Sequence, residues 1–389
     1  MINRRSLRVK AFKNLYAYES SKGANYHLAL DRLNEKFSPD LNSMEVADKD
    51  DLRRKKDIAI KAIDQKLQNT ASCEIGEEVQ AEVLDAIDFM HQLNKKDFKS
   101  LNLNLSGEAD RVSEDHIMIL SILEELAFVD KKLSDEKKSL ANVLGEKAVL
   151  NTNLFDNQVV EKLRKDQTFQ KLKIKFKIHW GNQADTIRDW YKGILKKDET
   201  YREYIKKEKP DYADDWNIVD YICRAIVLKN DVFSGFFEDI DLDWLDNKLI
   251  VKSLVQKTIK SMKEEESEVQ IADISYNWED DSAYVQELFE KTVEQNDYIE
   301  SFLKEKLQNW DIERVALTDK VLLKLAIAEM LYFPSIPTKV TINEFIEISK
   351  VFSTPKSKSF LNGILDTLSI DLKERGIIRK SGRGLLDNR

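Results

Sequence analysis

Glycine and proline are scarce: 11 and 5 residues in a chain of 389. Together they make about 4% of the sequence, against roughly 12% in an average protein. That excludes collagen-like, glycine-rich disordered and turn-rich all-β classes. It points to long helices, whose interiors avoid both residues. Cysteine is scarcer still, at Cys73 and Cys223. A disulfide framework is excluded, and a reducing compartment is expected. The four histidines (His27, His91, His116, His179) stand singly, so no metal site is expected. The lone G-x-G is Gly382-Arg383-Gly384, near the end of the chain rather than after a strand. Walker, Rossmann and G-x-S-x-G fingerprints are missing. The expectation is a protein that is not an enzyme and needs no cofactor. No apolar run reaches the length of a membrane span, so neither a span nor a signal peptide is expected, and a cytoplasmic location is. The net charge of −8 excludes a uniformly basic nucleic-acid binder but not a local basic site.

What is present is charge, at 34% of residues, and hydrophobicity, at 42%, arranged mostly with helical period. Leu361, Ile364, Leu365, Leu368 and Leu372 form one apolar stripe. Ile342, Phe345, Ile346, Ser349 and Phe352 form a second; Val321, Leu322, Leu325, Ala328 and Leu331 form a third. Pro334, Pro337 and Pro355 mark the boundaries between them. Charge-dense segments at Asp48–Asp57, Lys131–Lys138 and Lys263–Glu268 fit solvated faces or connectors, and Lys206–Asp211 fits a linker. One stretch departs from this period. Leu172, Ile174, Phe176, Ile178 and Trp180 alternate with lysines and His179, and period two favours a strand. A basic stripe for RNA is a further reading of it; a half-buried strand, or a helix with solvated lysines, is the simpler one.

The N-terminal segment carries Arg4, Arg5, Arg8, Lys10 and Lys13, with no acid before Glu19. As a helix it places Leu7, Ala11, Leu15 and Tyr18 on one face, with Phe12 and Tyr16 to one side. Arginine suits phosphate because its planar fork donates paired hydrogen bonds and stays charged. A tyrosine such as Tyr16 suits stacking on an unpaired base. A polar helix start kept soluble by its charge is the competing reading. Cations at a helix N-terminus oppose the macrodipole, which favours the functional one.

The C-terminal third is more specific. It runs Asn309-Trp310-Asp311-Ile312-Glu313-Arg314, then Asp319-Lys320-Val321-Leu322-Leu323-Lys324-Leu325-Ala326. Next come Pro337-Thr338-Lys339-Val340-Thr341-Ile342-Asn343-Glu344-Phe345-Ile346-Glu347-Ile348-Ser349-Lys350-Val351-Phe352 and Ser357-Lys358-Ser359-Phe360-Leu361-Asn362-Gly363-Ile364-Leu365-Asp366. This series, together with the arginine-rich start and its Leu15-Tyr16, resembles the NusB family of transcription antitermination factors. The resemblance spans Asn3–Ser20 and Asp281–Glu374, under a third of the chain, and family members are typically much shorter.

The resemblance implies an all-α fold: a NusB-like helical bundle, here with an additional, mostly helical middle region. It implies binding to a single-stranded boxA-like element of the rRNA leader. The implied partners are the ribosomal protein acting as NusE and the RNA polymerase elongation complex; no membrane is implied. Carried over by motif, Arg4, Arg5, Arg8 and Lys10 would grip phosphates, and Tyr16 would contact a base. Phe360 matches an aromatic at the RNA site, with an edge-of-core role as its alternative. Lys356, Ser357 and Lys358 lie where many members carry acids, and each lysine adds roughly one released counterion to phosphate binding. Asn343 and Glu344 are expected to open a helix. Asn362 and Gly363 are expected to serve helix packing, with RNA contact as the other role for Asn362.

The expected organisation is an arginine-rich helix over 1–22, an inserted or elaborated helical region over 23–270, the NusB-like bundle over 271–375, and a basic flexible tail over 376–389. Two rivals stand beside the RNA-binding reading. One is a helical protein–protein scaffold that does not touch RNA. The other is a relative of rRNA methyltransferases, disfavoured because no glycine lies between Gly235 and Gly363 to build a cofactor loop.

Overall fold

A computed structural model describes residues 2–39, 48–67, 76–144, 152–263, 268–307 and 315–388. The motif Asn309–Arg314, Cys73 and most of the Lys263–Glu268 charge run fall outside them. Among the described residues the protein is all-helical, without a strand. Two compact units divide it. A terminal unit comprises residues 4–106 and 279–389, and a middle unit comprises 107–278 with residues 1–3.

The terminal unit opens with α1 (Arg4–Lys36), α2 (Lys49–Leu67) and α3 (Glu77–Ser106). The expected boundary at residue 22 does not interrupt α1, which continues for 33 residues. Its second half packs with α2 and α3 through Leu33, Phe37, Ile63, Val79 and Val83, a three-helix core of its own. Residues 23–106 therefore belong with the C-terminal bundle and not with the middle region.

The middle unit holds α4 (Glu108–Val143), α5 (Gln158–Lys165), α6 (Gln167–Lys175), α7 (Ala184–Gly193), α8 (Glu199–Ile205), α9 (Tyr212–Tyr221), α10 (Asp231–Ile240) and α11 (Trp244–Ser261). A π-helical turn, Ile222–Val227, continues α9. The spine is α4, buried along Ile117, Ile119, Leu120, Leu123 and Leu126. His116 is enclosed there beside the Thr258 hydroxyl at 3.1 Å, and burial holds its pKa down to about 3.

The strand expected at Leu172–Trp180 is instead the end of α6 and its exit turn. Helical period buries Phe169, while Ile174 is 78% exposed. The helix stops in a Schellman motif. The Ile178 N–H donates to the Lys173 carbonyl at 2.9 Å and that of Lys177 to Ile174 at 3.1 Å. Lys177 takes the left-handed position, φ 55°, usually given to glycine. The lysine alternation thus reflects solvated helix positions, with Lys173 turned onto Glu124.

The terminal unit resumes with α12 (Trp278–Glu294, from Glu279), α13 (Asn296–Lys306), α14 (Leu317–Tyr332), α15 (Thr338–Phe352) and α16 (Ser357–Glu374). The prolines fall where breaks were expected. Leu361, Leu365, Leu368 and Leu372 are all buried, as are Ile342, Phe345 and Ile346. Two motif positions differ from expectation. Helix α15 opens at Thr338, so Asn343 and Glu344 lie in mid-helix. Among the described residues no atom of a neighbouring element lies within 4 Å of the position a Gly363 Cβ would take, so among them this glycine serves no close packing.

Helix α16 ends in a second Schellman motif, with Gly376 at φ 66° and the Ile377 N–H on the Leu372 carbonyl at 2.9 Å. The tail that follows is not a loose arm. Ile378 is buried, the Ser381 N–H donates to the Pro334 carbonyl at 3.0 Å, and Lys380 Nζ donates to the Phe333 carbonyl at 3.0 Å. Gly384 lies so close that a Cβ there would be 2.0 Å from the Pro334 oxygen.

Candidate nucleic-acid interface

Helix α14 is the anchor of the site. Val321 to Met330 are all buried, including two charged side chains, Lys324 and Glu329. A charge enclosed on every side must be paired or it destabilises the fold. Each has an oppositely charged partner on α1. Glu329 takes the Arg8 fork, Nε to Oε2 at 2.7 Å and Nη2 to Oε1 at 2.9 Å. It also accepts from the Tyr284 hydroxyl at 2.5 Å and the Thr341 hydroxyl at 2.6 Å. Lys324 reaches Glu19 at 3.0 Å, Glu300 at 2.8 Å and the Asn296 side-chain oxygen at 2.8 Å. The two pairs have opposite polarity along α1: the cation is on α1 in one and on α14 in the other. Sliding α1 would leave Glu329 without Arg8 and Lys324 without Glu19, so together they fix its register.

Burial works to lower the pKa of Arg8, and the hydrogen bonds and charge of Glu329 more than offset it, so the net shift is upward. Burial, with the Glu329 charge, raises Tyr284 well above the ordinary phenol range. The cluster is therefore a fixed ion pair whose donors keep their protons.

With α1 held in this way, its first turn presents the remaining arginines. Arg4 lies over the Tyr284 ring at 4.2 Å and 3.2 Å from Asp281. Arg5 bonds Glu344 through two nitrogens, at 2.8 and 2.9 Å. That hydrogen bond raises the Arg5 pKa and holds the Glu344 carboxyl below the usual range. The two arginine side chains remain 45% and 52% exposed. Arg8, at 3%, does not reach solvent, and Lys10 is also buried. The sequence reading placed all four on phosphate; the apolar packing of α1 turns Arg8 and Lys10 inward.

One turn further along, Phe12 packs between Tyr16, at 6.2 Å between ring centroids, and Phe352, at 5.1 Å. Tyr16 is 39% exposed. The α1 residues Arg5 and Phe12 meet the α15 residues Glu344 and Phe352, so the two helices run parallel and carry the arginines and the rings along one face.

Phe352 ends α15, and α16 begins five residues later. Ser357 is buried, and its hydroxyl donates to Asp319 at 2.8 Å. Ser353 donates to the other Asp319 oxygen at 2.6 Å. Ser357 therefore fixes the α15–α16 corner from inside and does not face a ligand, a correction to its place among the RNA candidates. Lys356 and Lys358 on either side of it are exposed, and Phe360 is half-buried. Asn362 is exposed and donates to Asp366 at 2.7 Å, one turn along its own helix, so it takes no part in helix packing.

Within the terminal unit, the contact of Phe12 with Phe352 joins α1 to the end of α15, where the corner carrying exposed Lys356 and Lys358 and half-buried Phe360 begins. The sequence reading missed Tyr284, Glu329, Thr341 and Asp319, which hold these elements. Nothing in their local patterns signals the role. The signal available was charge inside apolar runs: Glu329 and Lys324 interrupt stretches otherwise fit for a core. Among the described residues no group of histidine, cysteine or acidic side chains forms a metal site. No helix among them is long and apolar enough to cross a membrane.

Residues 246–369 match the NusB family. Similar curated proteins are the transcription antitermination proteins NusB of Chloroherpeton thalassium (49% identity over 89 residues), Salinibacter ruber (41% over 87) and Bacillus pumilus (38% over 82). These matches cover 23%, 22% and 21% of this chain, and 42%, 54% and 63% of the respective relatives. The chain therefore spans about half the length of the relatives it matches. No solved structure matches.

Proposed function

We propose, on the premise that residues 246–369 belong to the NusB family, that this chain is an RNA-binding transcription antitermination factor and not an enzyme. The RNA is a single-stranded, boxA-like element of a nascent rRNA leader. The protein binds it together with the ribosomal protein acting as NusE, and the complex helps RNA polymerase resist premature termination. Arg4 and Arg5 contact phosphates, Tyr16 and Phe360 contact bases, and Lys356, Lys358 and Asn362 border the same path. Arg8, Lys10 and Ser357 belong to the scaffold beneath it.

One observation carries this reading: two partly exposed arginines and an exposed tyrosine lie on a helix whose register is fixed by buried ion pairs to α14. Fixed placement of the cations matters because a phosphate contact gains most from a pre-organised fork. The partners of Arg4 and Arg5, Asp281 and Glu344, are partly enclosed, but the arginines are about half exposed, so an incoming phosphate competes with a partly solvated ion pair worth on the order of 1 kcal/mol. A titration of the full chain against boxA-like single-stranded RNA, with and without the NusE protein, tests the proposal. Salt-dependent binding strengthened by that protein is expected. Partner binding with no affinity for RNA in either condition would favour the scaffold reading instead.

A further inference from the structure

The middle unit contains a cavity of about 390 Å³ between α4, the α6 exit turn and the end of α10. Its volume falls within the range of small-ligand sites. Every residue lining it lies between Arg111 and Asp241, outside the segment that matches the NusB family.

Its floor is acidic. Asp115 is 3% exposed, lines the cavity, and its Oδ2 is enclosed without a hydrogen-bond partner. Asp241 lies close by, held by the Asp243 N–H at 3.0 Å and the Asn247 amide at 3.1 Å. Glu114 adds a third carboxyl, half-buried. The walls are aromatic: Trp180 and Phe236 lie with ring centroids 5.6 Å apart, and Phe176 completes them.

On α4, Arg111 is paired with Glu108 at 2.6 Å. Asp110, also on α4, is paired with Lys175 of α6 at 2.7 Å. Lys177 and His179 stand exposed at the rim. Among the described residues no cation is bonded to the inner carboxyls. Burial, then the charge of Asp241 and a hydrogen bond shared with it, then the charges of Glu114 and Glu108, push the Asp115 carboxyl up to about 8. Burial, then Asp241 and Asp110, raises Glu114.

We propose that this cavity binds a compact organic cation, an alkylammonium or guanidinium group, with Asp115 and Asp241 as its counter-charge and the Trp180 and Phe236 faces as its walls. A cation there gives the enclosed Asp115 oxygen the hydrogen bond it lacks, and ring faces attract it electrostatically. A carboxyl that stays protonated near neutral pH in the empty cavity ionises when the cation enters, so binding releases a proton and tightens as pH rises. The cation is either a free small molecule or a lysine or arginine side chain of a peptide; the chemistry is shared.

The test is calorimetric titration of the full chain with agmatine and with capped Gly-Lys-Gly and Gly-Arg-Gly peptides. The acetyl-lysine form of the first peptide is the neutral control. The expected result is saturable binding of at least one cationic probe and none of the control. Proton release follows from heats that differ between two buffers at pH 7. Asp115→Asn should weaken binding about tenfold or more, and Phe236→Leu severalfold. Asp115→Asn removes a crowded charge, so its melting temperature at pH 9 should equal or exceed the parent's, which separates lost binding from lost folding. Tighter agmatine binding assigns a free ligand, and tighter peptide binding assigns a protein side chain. No saturable binding of any cation at millimolar concentration overturns the proposal, as does equal binding of the control or undiminished binding in both variants. RNA binding through α1 and α16 is untouched by that failure, since none of these residues takes part in it.

Discussion

The Arg8 guanidinium grips the Glu329 carboxylate through two hydrogen bonds, 321 residues apart in sequence, and neither side chain reaches solvent. The most conspicuous basic motif of the chain is thus divided between two tasks. Arg8 holds α1 to α14, and Arg4 and Arg5 face outward from the turn it holds.

Removing one partner of a buried pair leaves the other charge enclosed and uncompensated. Arg8→Ala should therefore destabilise the chain by about 3–5 kcal/mol in urea denaturation. A loss below about 1 kcal/mol would show that the pair does not fix α1. Arg5→Ala removes an exposed pair and should cost no more than about 1 kcal/mol.

Glu344 competes with phosphate for Arg5. Glu344→Gln should increase affinity for single-stranded RNA severalfold at low salt, an effect that shrinks as salt screens it. Weaker binding in this variant, with the fold intact by circular dichroism, would place the phosphate path elsewhere.

The α15–α16 corner separates two neighbouring residues. Ser357→Ala leaves Asp319 short of one donor and should cost about 1 kcal/mol of stability without a direct effect on RNA. Lys356→Gln and Lys358→Gln should leave stability unchanged and make the salt dependence of RNA binding shallower, by about 0.7 in log–log slope for each lost phosphate contact. The reverse pattern in these variants would overturn the assignment.

Gly384→Ala places a methyl group against the Pro334 carbonyl and should release the tail. Limited proteolysis reads this as faster cleavage after Arg379, Lys380 or Arg383, with the rest of the bundle resistant as before. Unchanged cleavage would mean that the tail contact contributes nothing.

The middle unit carries a pH signature of its own. Asp115 binds its proton more tightly folded, at about 8, than unfolded, near 4. Between these values the folded state holds the extra proton, so stability is greatest below the unfolded pKa and falls as pH rises through the folded one. Asp115→Asn should flatten the loss of stability between about pH 4 and pH 8. An identical profile in parent and variant would contradict the burial of this carboxyl.

The helices were legible because their signals are local. The stripes at Leu361–Leu372 and Ile342–Phe352 and the proline breaks needed no knowledge of the fold. The Leu172–Trp180 stretch misled because nine residues fit either period, and the deciding fact, Ile174 in solvent while Phe169 is enclosed, depends on packing against α4. Arg4, Arg5 and Arg8 look alike in sequence. Which of them turns inward is set by Glu329, Tyr284 and Thr341, residues far away in the chain. Gly363 and Glu344 were assigned local roles for the same reason; one has no neighbour and the other serves Arg5. The carboxyls of the cavity could not be singled out among 70 acidic residues.

The most direct measurement of the central claim is a salt series of RNA binding by the Arg4→Ala/Arg5→Ala double variant, with Arg8 left in place, over about 50–200 mM salt. The account predicts an intact fold, affinity for boxA-like RNA at least about tenfold weaker at the lowest salt, and a log–log slope shallower by about 1.4. Parental affinity and slope in a folded double variant would contradict it.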